Sequence, residues 1–273
     1  MEELRQLPIP LLVWYRENAR VLPWRSEPSP YHVWLSEIML QQTRVTAVLD
    51  YYRRFLEEVP DIAALAALPQ DQLMKLWQGL GYYSRARNLQ KAAKQIMDFH
   101  GGIFPGTYQE IRALAGVGDY TAGAIASIAF GLSVPAVDGN VLRVAARITG
   151  DRGDISTPAM KKKVAQALAE IIPLDAPGDF NQAMMELGAT VCLPNGAPLG
   201  RHTMAPSSMR AWLNSPGALT GMTASSAWAT AFFVAGAVIS DRSPVSRATT
   251  RSTFPSTAAL GRPKAMEAMA PAV

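Results

Sequence analysis

Up to about Gly188, apolar residues recur at three- and four-residue intervals, a pattern that predicts helices in series. Pro30 suits the first position of a helix running through Trp34, Ile38 and Leu40. Thr43 is expected to cap or open the next, T-R-V-T-A-V-L-D-Y-Y-R-R-F-L-E-E-V, with Pro60 as its stop. Helices are then expected over Asp61–Leu68, Asp71–Leu80, Ser84–Phe99 (closed by Gly101-Gly102) and Thr107–Leu114. Four more follow, over Tyr120–Phe130, Asn140–Ile148, Thr157–Ile172 and Asp179–Val191. Connections are short and carry Gly and Pro, and no strand-like alternation competes. The predicted fold class is all-α.

After Leu199 the pattern stops. The remainder is rich in Ser, Thr, Ala, Pro and Arg, with Asp241 and Glu267 its only acids and Lys264 its only lysine. Such a composition buries too little apolar surface to offset the entropy of ordering. The chain therefore divides into a helical region, 1–199, and an atypical tail, 200–273, expected to be disordered or the product of a frameshift. Charge follows the same division. Residues 1–199 hold 19 Lys+Arg against 20 Asp+Glu, whereas 200–273 hold 7 against 2, so the net +4 is a property of the tail. Nucleic-acid affinity in the helical region must then come from local basic groups and backbone amides. The single cysteine excludes an internal disulfide, no apolar run reaches membrane-spanning length, and the N-terminus lacks a secretory h-region. A cytoplasmic monomer is expected.

Within the helical region, Glu37 lies among Trp34, Leu35, Ile38, Met39 and Leu40. A carboxyl in such surroundings is desolvated and shifts toward the range of a general acid; the alternative is a carboxylate reaching solvent on a polar face beside Ser36. Gln41, Gln42 and Thr43 follow with amide and hydroxyl groups suited to base edges, or to an ordinary loop. Gly116-Val117-Gly118 leaves a turn almost free of side chains at the start of a helix, where N–H groups and the dipole favour a phosphate. The plain alternative is a tight turn with Thr121 and Ala122 packed closely. About twenty residues on, Asp138 opens another helix before Gly139 and Asn140, as a reacting carboxylate or as a simple N-cap. Gly79-Leu80-Gly81-Tyr82-Tyr83, ahead of Arg85 and Arg87, offers wedge side chains for a duplex or a helix end with core aromatics. Arg25 suits a base or a carboxylate, and Gln182 is ambiguous alone. The scattered His32, His100 and His202 form no metal constellation, and no P-loop, Rossmann or Ser/His/Asp pattern occurs.

Taken in order, P-W-R, S-E-I-M-L-Q-Q-T-R-V, W-Q-G-L-G-Y-Y-S-R-A-R-N-L, L-A-G-V-G-D-Y-T-A-G-A-I, V-D-G-N-V-L-R-V and F-N-Q-A-M-M-E-L-G-A-T-V-C resemble the adenine DNA glycosylase (MutY) family of the endonuclease III-like superfamily. The resemblance spans roughly residues 8 to 199. It implies a helix-hairpin-helix glycosylase fold, with two helical subdomains and the active site between them. It also implies a DNA partner, a duplex carrying adenine opposite 8-oxoguanine or guanine, and a role in base excision repair, which in a bacterium means association with the nucleoid. By the same resemblance Glu37 is the acid that protonates adenine N7, and Asp138 the carboxylate that stabilises the oxocarbenium-like sugar, the two-carboxylate logic of retaining glycosidases. Tyr120 and Asn140 position them, and Arg25 and Gln182 contact the extruded adenine. Gln42, Thr43, Leu80 and Tyr82 probe the lesion and fill the duplex, while Gly116, Val117 and Gly118 form the phosphate-binding hairpin. Tyr120 stands where lyase-competent relatives carry a lysine, which implies a monofunctional enzyme rather than a glycosylase/lyase. The family also implies a 4Fe–4S cluster on four cysteines, of which this sequence supplies Cys192 alone; one thiolate cannot hold it. A DNA-binding helical protein without catalysis is the alternative that this loss raises.

Overall fold

A computed structural model describes residues 2–194. The tail assigned to 200–273 lies outside the described residues. Among those described there are only helices: a 3-10 turn, Glu2–Gln6, and twelve α-helices. They are α1 (Pro8–Asn18), α2 (Pro23–Ser26), α3 (Pro30–Leu40), α4 (Val45–Glu58), α5 (Ile62–Ala67) and α6 (Gln70–Leu76), then α7 (Ser84–His100), α8 (Tyr108–Ala113), α9 (Asp119–Phe130), α10 (Gly139–Thr149), α11 (Pro158–Ala169) and α12 (Pro177–Thr190). None is long and apolar enough to cross a membrane.

Five of the twelve α-helices begin where a short polar side chain takes up a free backbone N–H. Ser29, Asp61, Thr107, Asp138 and Thr157 all accept from the amide three residues on, each such cap contributing about 1 kcal/mol. Three expectations need correction. Thr43 caps nothing: α4 starts behind Arg44 without a side-chain cap, and the Thr43 hydroxyl donates to the Gln41 carbonyl instead. The helix expected to reach Leu80 ends at Leu76, because Trp77–Gly81 closes in turns, with the Trp77 indole donating to the Gly81 carbonyl at 3.1 Å. Helices α1 and α2 were not foreseen. A one-turn helix has no period to read, and α1 buries only Leu11, Trp14 and Tyr15.

Two apolar cores result. The first is built from α2 to α9 around Trp34, Phe55 and Trp77; the second joins the N-terminal turn and α1 to α10, α11 and α12 around Trp14 and Phe180. Helix α9 packs against α3 in the first and α12 in the second, so the two halves meet along its length. The connection from α9 to α10 is held by a fully buried amide. The Asn181 side chain donates to Ser127 Oγ (2.8 Å) and the Val134 carbonyl (2.9 Å) and accepts from the Ala136 amide (3.0 Å). That uses three of its four hydrogen-bonding positions, which is what a buried amide requires. It also delivers Asp138, two residues later, to the seam between the halves.

Candidate active site

A cleft of about 510 Å³ opens at that seam. Its walls are the C-terminal part of α3, the following loop, α9, the start of α10, and α12. It gathers nine of the residues singled out from sequence: Arg25, Glu37, Gln41, Gln42, Thr43, Tyr120, Asp138, Asn140 and Gln182.

Glu37 comes from the first half. Helix α3 is apolar on nearly every side, and Glu37 is buried with it. The polar face imagined beside Ser36 does not exist: Ser36 is buried and its hydroxyl donates back to the Val33 carbonyl at 2.9 Å. Desolvation pushes the Glu37 carboxyl up to about 7. The Tyr120 hydroxyl and Arg25 oppose the rise, and the charge of Asp138 adds to it. Tyr120 is itself driven well above the ordinary phenol range by burial and by the two carboxylates. It therefore stays neutral, and its hydroxyl lies 3.0 Å from Met185 Sδ.

Asp138 comes from the second half and is the N-cap of α10. One oxygen caps α10, accepting from the Val141 amide at 2.8 Å; the other accepts from Asn140 Nδ2 at 2.8 Å. The helix N-terminus adds a favourable dipole for the negative charge. Asn140 is fixed in turn by Arg143, whose Nη2 donates to its Oδ1 at 2.7 Å.

Sequence reasoning missed the strongest charge feature of the cleft. Glu186 on α12 is buried and takes hydrogen bonds from Arg20 Nη2 (2.9 Å) and Arg25 Nη2 (2.8 Å). Burial alone would raise its carboxyl, but the two guanidiniums outweigh burial and hold it below the ordinary range. These partners lie more than 160 positions apart, so no local pattern announces them.

Other candidates lie elsewhere. Gly116-Val117-Gly118 turns between α8 and α9. Gly116 has φ +76°, and a Cβ there would sit 2.7 Å from that of Asn88, so a side chain is excluded by the fold itself. Gly118 is different: its φ is −93°, it N-caps α9, and a Cβ would meet nothing within 4 Å. Val117 is a core residue. Tyr82 is 58% exposed, but Leu80 is only 6% exposed and packs in the first core, so it is not presented as a wedge.

Residues 35–173 match the HhH-GPD superfamily of base excision DNA repair proteins. The chain belongs to that superfamily. Among curated relatives, the adenine DNA glycosylase of Mus musculus is 44% identical across 74% of this chain and 41% of its own length. That of Homo sapiens is 44% identical across 67% and 35%, and that of Buchnera aphidicola (Acyrthosiphon pisum) 41% identical across 67% and 53%. The chain thus spans between about a third and a half of these relatives. Among solved structures, a thermostable thymine-DNA glycosylase superposes with a TM-score of 0.66 at 26% identity, over 71% of this chain and 90% of that one. A trapped endonuclease III–DNA covalent intermediate gives 0.59 at 25%, over 71% and 92%. The all-α, helix-hairpin-helix glycosylase fold expected from sequence is the fold of this HhH-GPD chain.

A 4Fe–4S cluster does not fit the residues present. Cys192 is the only cysteine of the sequence; it is buried, and Arg147 Nη1 lies 3.1 Å from its Sγ. Among the described residues, no group of three or more His, Cys, Asp or Glu side chains could hold a metal.

Proposed function

We propose that this chain is a monofunctional DNA glycosylase that removes adenine mispaired with 8-oxoguanine or guanine in double-stranded DNA. The observation that carries the reading is the pairing in one cleft of a desolvated carboxyl near neutrality, Glu37, with a helix-capping carboxylate, Asp138. Glu37, protonated near neutral pH, gives its proton to a nitrogen of the extruded purine. The C1′–N9 bond then breaks and its electron pair leaves on adenine. The Asp138 carboxylate stabilises the cationic sugar, and water adds at C1′ while its proton returns to Glu37. Asn140 holds the reacting oxygen of Asp138, and the neutral Tyr120 hydroxyl orients Glu37. Arg25 and Gln182, which also line the cleft, contact the base in this reading. Among the described residues no lysine lines the cleft, which supports hydrolysis without a Schiff base.

The curated relatives named adenine DNA glycosylase support the choice of base. The open space at Gly118 supports approach of a phosphate to the first amides of α9, and the exposed Gln42 and Tyr82 support contact with the duplex around the lesion. No step runs through a cluster. Residues 1–199 form the catalytic region in this reading. The test is adenine release from an A:8-oxoguanine duplex under single turnover. Wild type should release the base at least 100-fold faster than Glu37→Gln, with both binding the duplex. Equal rates with intact binding would leave only a DNA-binding protein.

A further inference from the structure

Arg85, at the start of α7, is buried to 7% exposure, and no carboxylate among the described residues pairs with it. Burial accordingly depresses its pKa below the ordinary guanidinium value, and its Nε finds no hydrogen-bond partner. An isolated buried charge is destabilising by several kcal/mol unless its surroundings solvate it. Here backbone carbonyls do so. Nη1 addresses those of Ile38 (3.0 Å), Met39 (2.8 Å) and Gln41 (2.6 Å); Nη2 addresses those of Leu80 (3.0 Å) and Gly81 (3.2 Å) and the Thr43 hydroxyl (3.2 Å). The cation also lies 5.6 Å from the Trp77 ring centroid and 5.4 Å from that of Tyr82.

These acceptors belong to two separate segments, the last turn of α3 with the loop that follows it, and the loop preceding α7. Each contains a strained residue. Gln42 (φ +57°) and Tyr82 (φ +48°) are the two non-glycine residues with positive φ among those described, a conformation that costs about 1 kcal/mol or more apiece. Strain of this kind persists only where surrounding bonds over-determine it, and Arg85 supplies bonds to both sides at once. One loop forms a wall of the cleft through Gln42 and Thr43, while the other displays the Tyr82 ring to solvent.

We infer that Arg85 is a positioning residue, a single buried cation that locks the loop after α3 and the Tyr82 loop into one preformed wedge for the duplex. The inference rests on the function proposed above, because it takes these loops as the part that meets DNA. Lysine at this position keeps the charge but cannot span five carbonyls, so Arg85→Lys is an informative change rather than a conservative one.

Two measurements test it. In the free protein, amide hydrogen exchange in segments 39–44 and 78–84 should rise together in Arg85→Lys while α9 and α12 keep wild-type protection; exchange rising in one loop alone, or in neither, would overturn the inference whatever the substrate is. On DNA, in a Glu37→Gln background, 2-aminopurine opposite 8-oxoguanine reports extrusion of the base without chemistry. Arg85→Lys should weaken binding to this duplex about tenfold relative to a fully paired one, with reduced fluorescence. Tyr82→Ala added to it should cost less than about twofold more, since both changes remove the same wedge. Independent, multiplying losses would show that Arg85 does not act through Tyr82. If Arg85→Lys does not fold, Thr43→Val, which removes one of the six acceptors together with the hydroxyl's bond to the Gln41 carbonyl, should give the same paired exchange increase in smaller measure, and exchange unchanged in the 78–84 segment would overturn the inference. A wild-type protein without preference for the mispaired duplex would defeat the proposed function while leaving the exchange test standing.

Discussion

The two walls of the cleft bury a glutamate each and treat it in opposite ways. Glu37, from the first half, is sunk in an apolar helix and rises to about 7; Glu186, from the second, is buried as deeply but held by two arginines and falls below the ordinary range. Depth of burial therefore does not decide charge; the partners do. The consequence is a division of labour. Glu186 is a fixed anion that ties Arg20 and Arg25 to α12 and so shapes the wall. Glu37 is left able to hold a proton near neutral pH, which the proposed chemistry requires.

The largest effect on stability is expected from breaking the paired side. Glu186→Ala leaves two guanidiniums around an emptied site, and should cost about 4 kcal/mol in urea unfolding at pH 7. The carboxyl is depressed in the folded state, so its contribution is present above the unfolded-state pKa and fades as pH falls through the folded value. The loss on mutation should therefore shrink in acid. A loss that is the same at pH 3 and pH 7 would mean that packing, not the ion pairs, is what Glu186 contributes.

The unpaired side should respond with the opposite sign. A folded-state value near 7 against an ordinary 4.5 means that the unfolded chain ionises first as pH rises, costing the native state ~3 kcal/mol by pH 8. Below about pH 4.5 both states are protonated and the cost vanishes. Glu37→Gln should consequently stabilise the protein at pH 8 by about 2 kcal/mol and scarcely at pH 4.5, as read by thermal melting. A destabilised variant at pH 8 would show that the carboxyl is not desolvated as described.

The smallest effects separate fold from ligand at the hairpin. Gly116→Ala meets both a positive φ and Asn88, and should lose about 1–2 kcal/mol. Gly118→Ala has an ordinary φ and open space, so its melting should move by less than about 0.5 kcal/mol, yet its duplex affinity should drop severalfold. Unchanged affinity in Gly118→Ala would remove the phosphate from that turn.

How far the sequence could be read follows the range of the interactions. Glu37 was legible because its apolar neighbours sit within one helical turn, and Asp138 because a cap is a local motif. The hairpin was legible through glycines two positions apart. What escaped was non-local. Nothing near Glu186 points to Arg20, and nothing near Arg85 points to the carbonyls of Ile38, Met39 and Gln41. Leu80 shows the converse error: an apolar residue in a glycine-rich turn suits a wedge, but the turn folds its side chain into the core and exposes Tyr82 instead.

The central claim is that the reaction runs on the proton of a buried Glu37 carboxyl. Its most direct test is the pH dependence of adenine release in a single turnover at saturating enzyme. The rate constant should be level below about pH 6.5 and fall roughly tenfold per pH unit above about 7 to 7.5. A rate constant that stays flat from about pH 5.5 to 8.5, or that rises through this range, would contradict it.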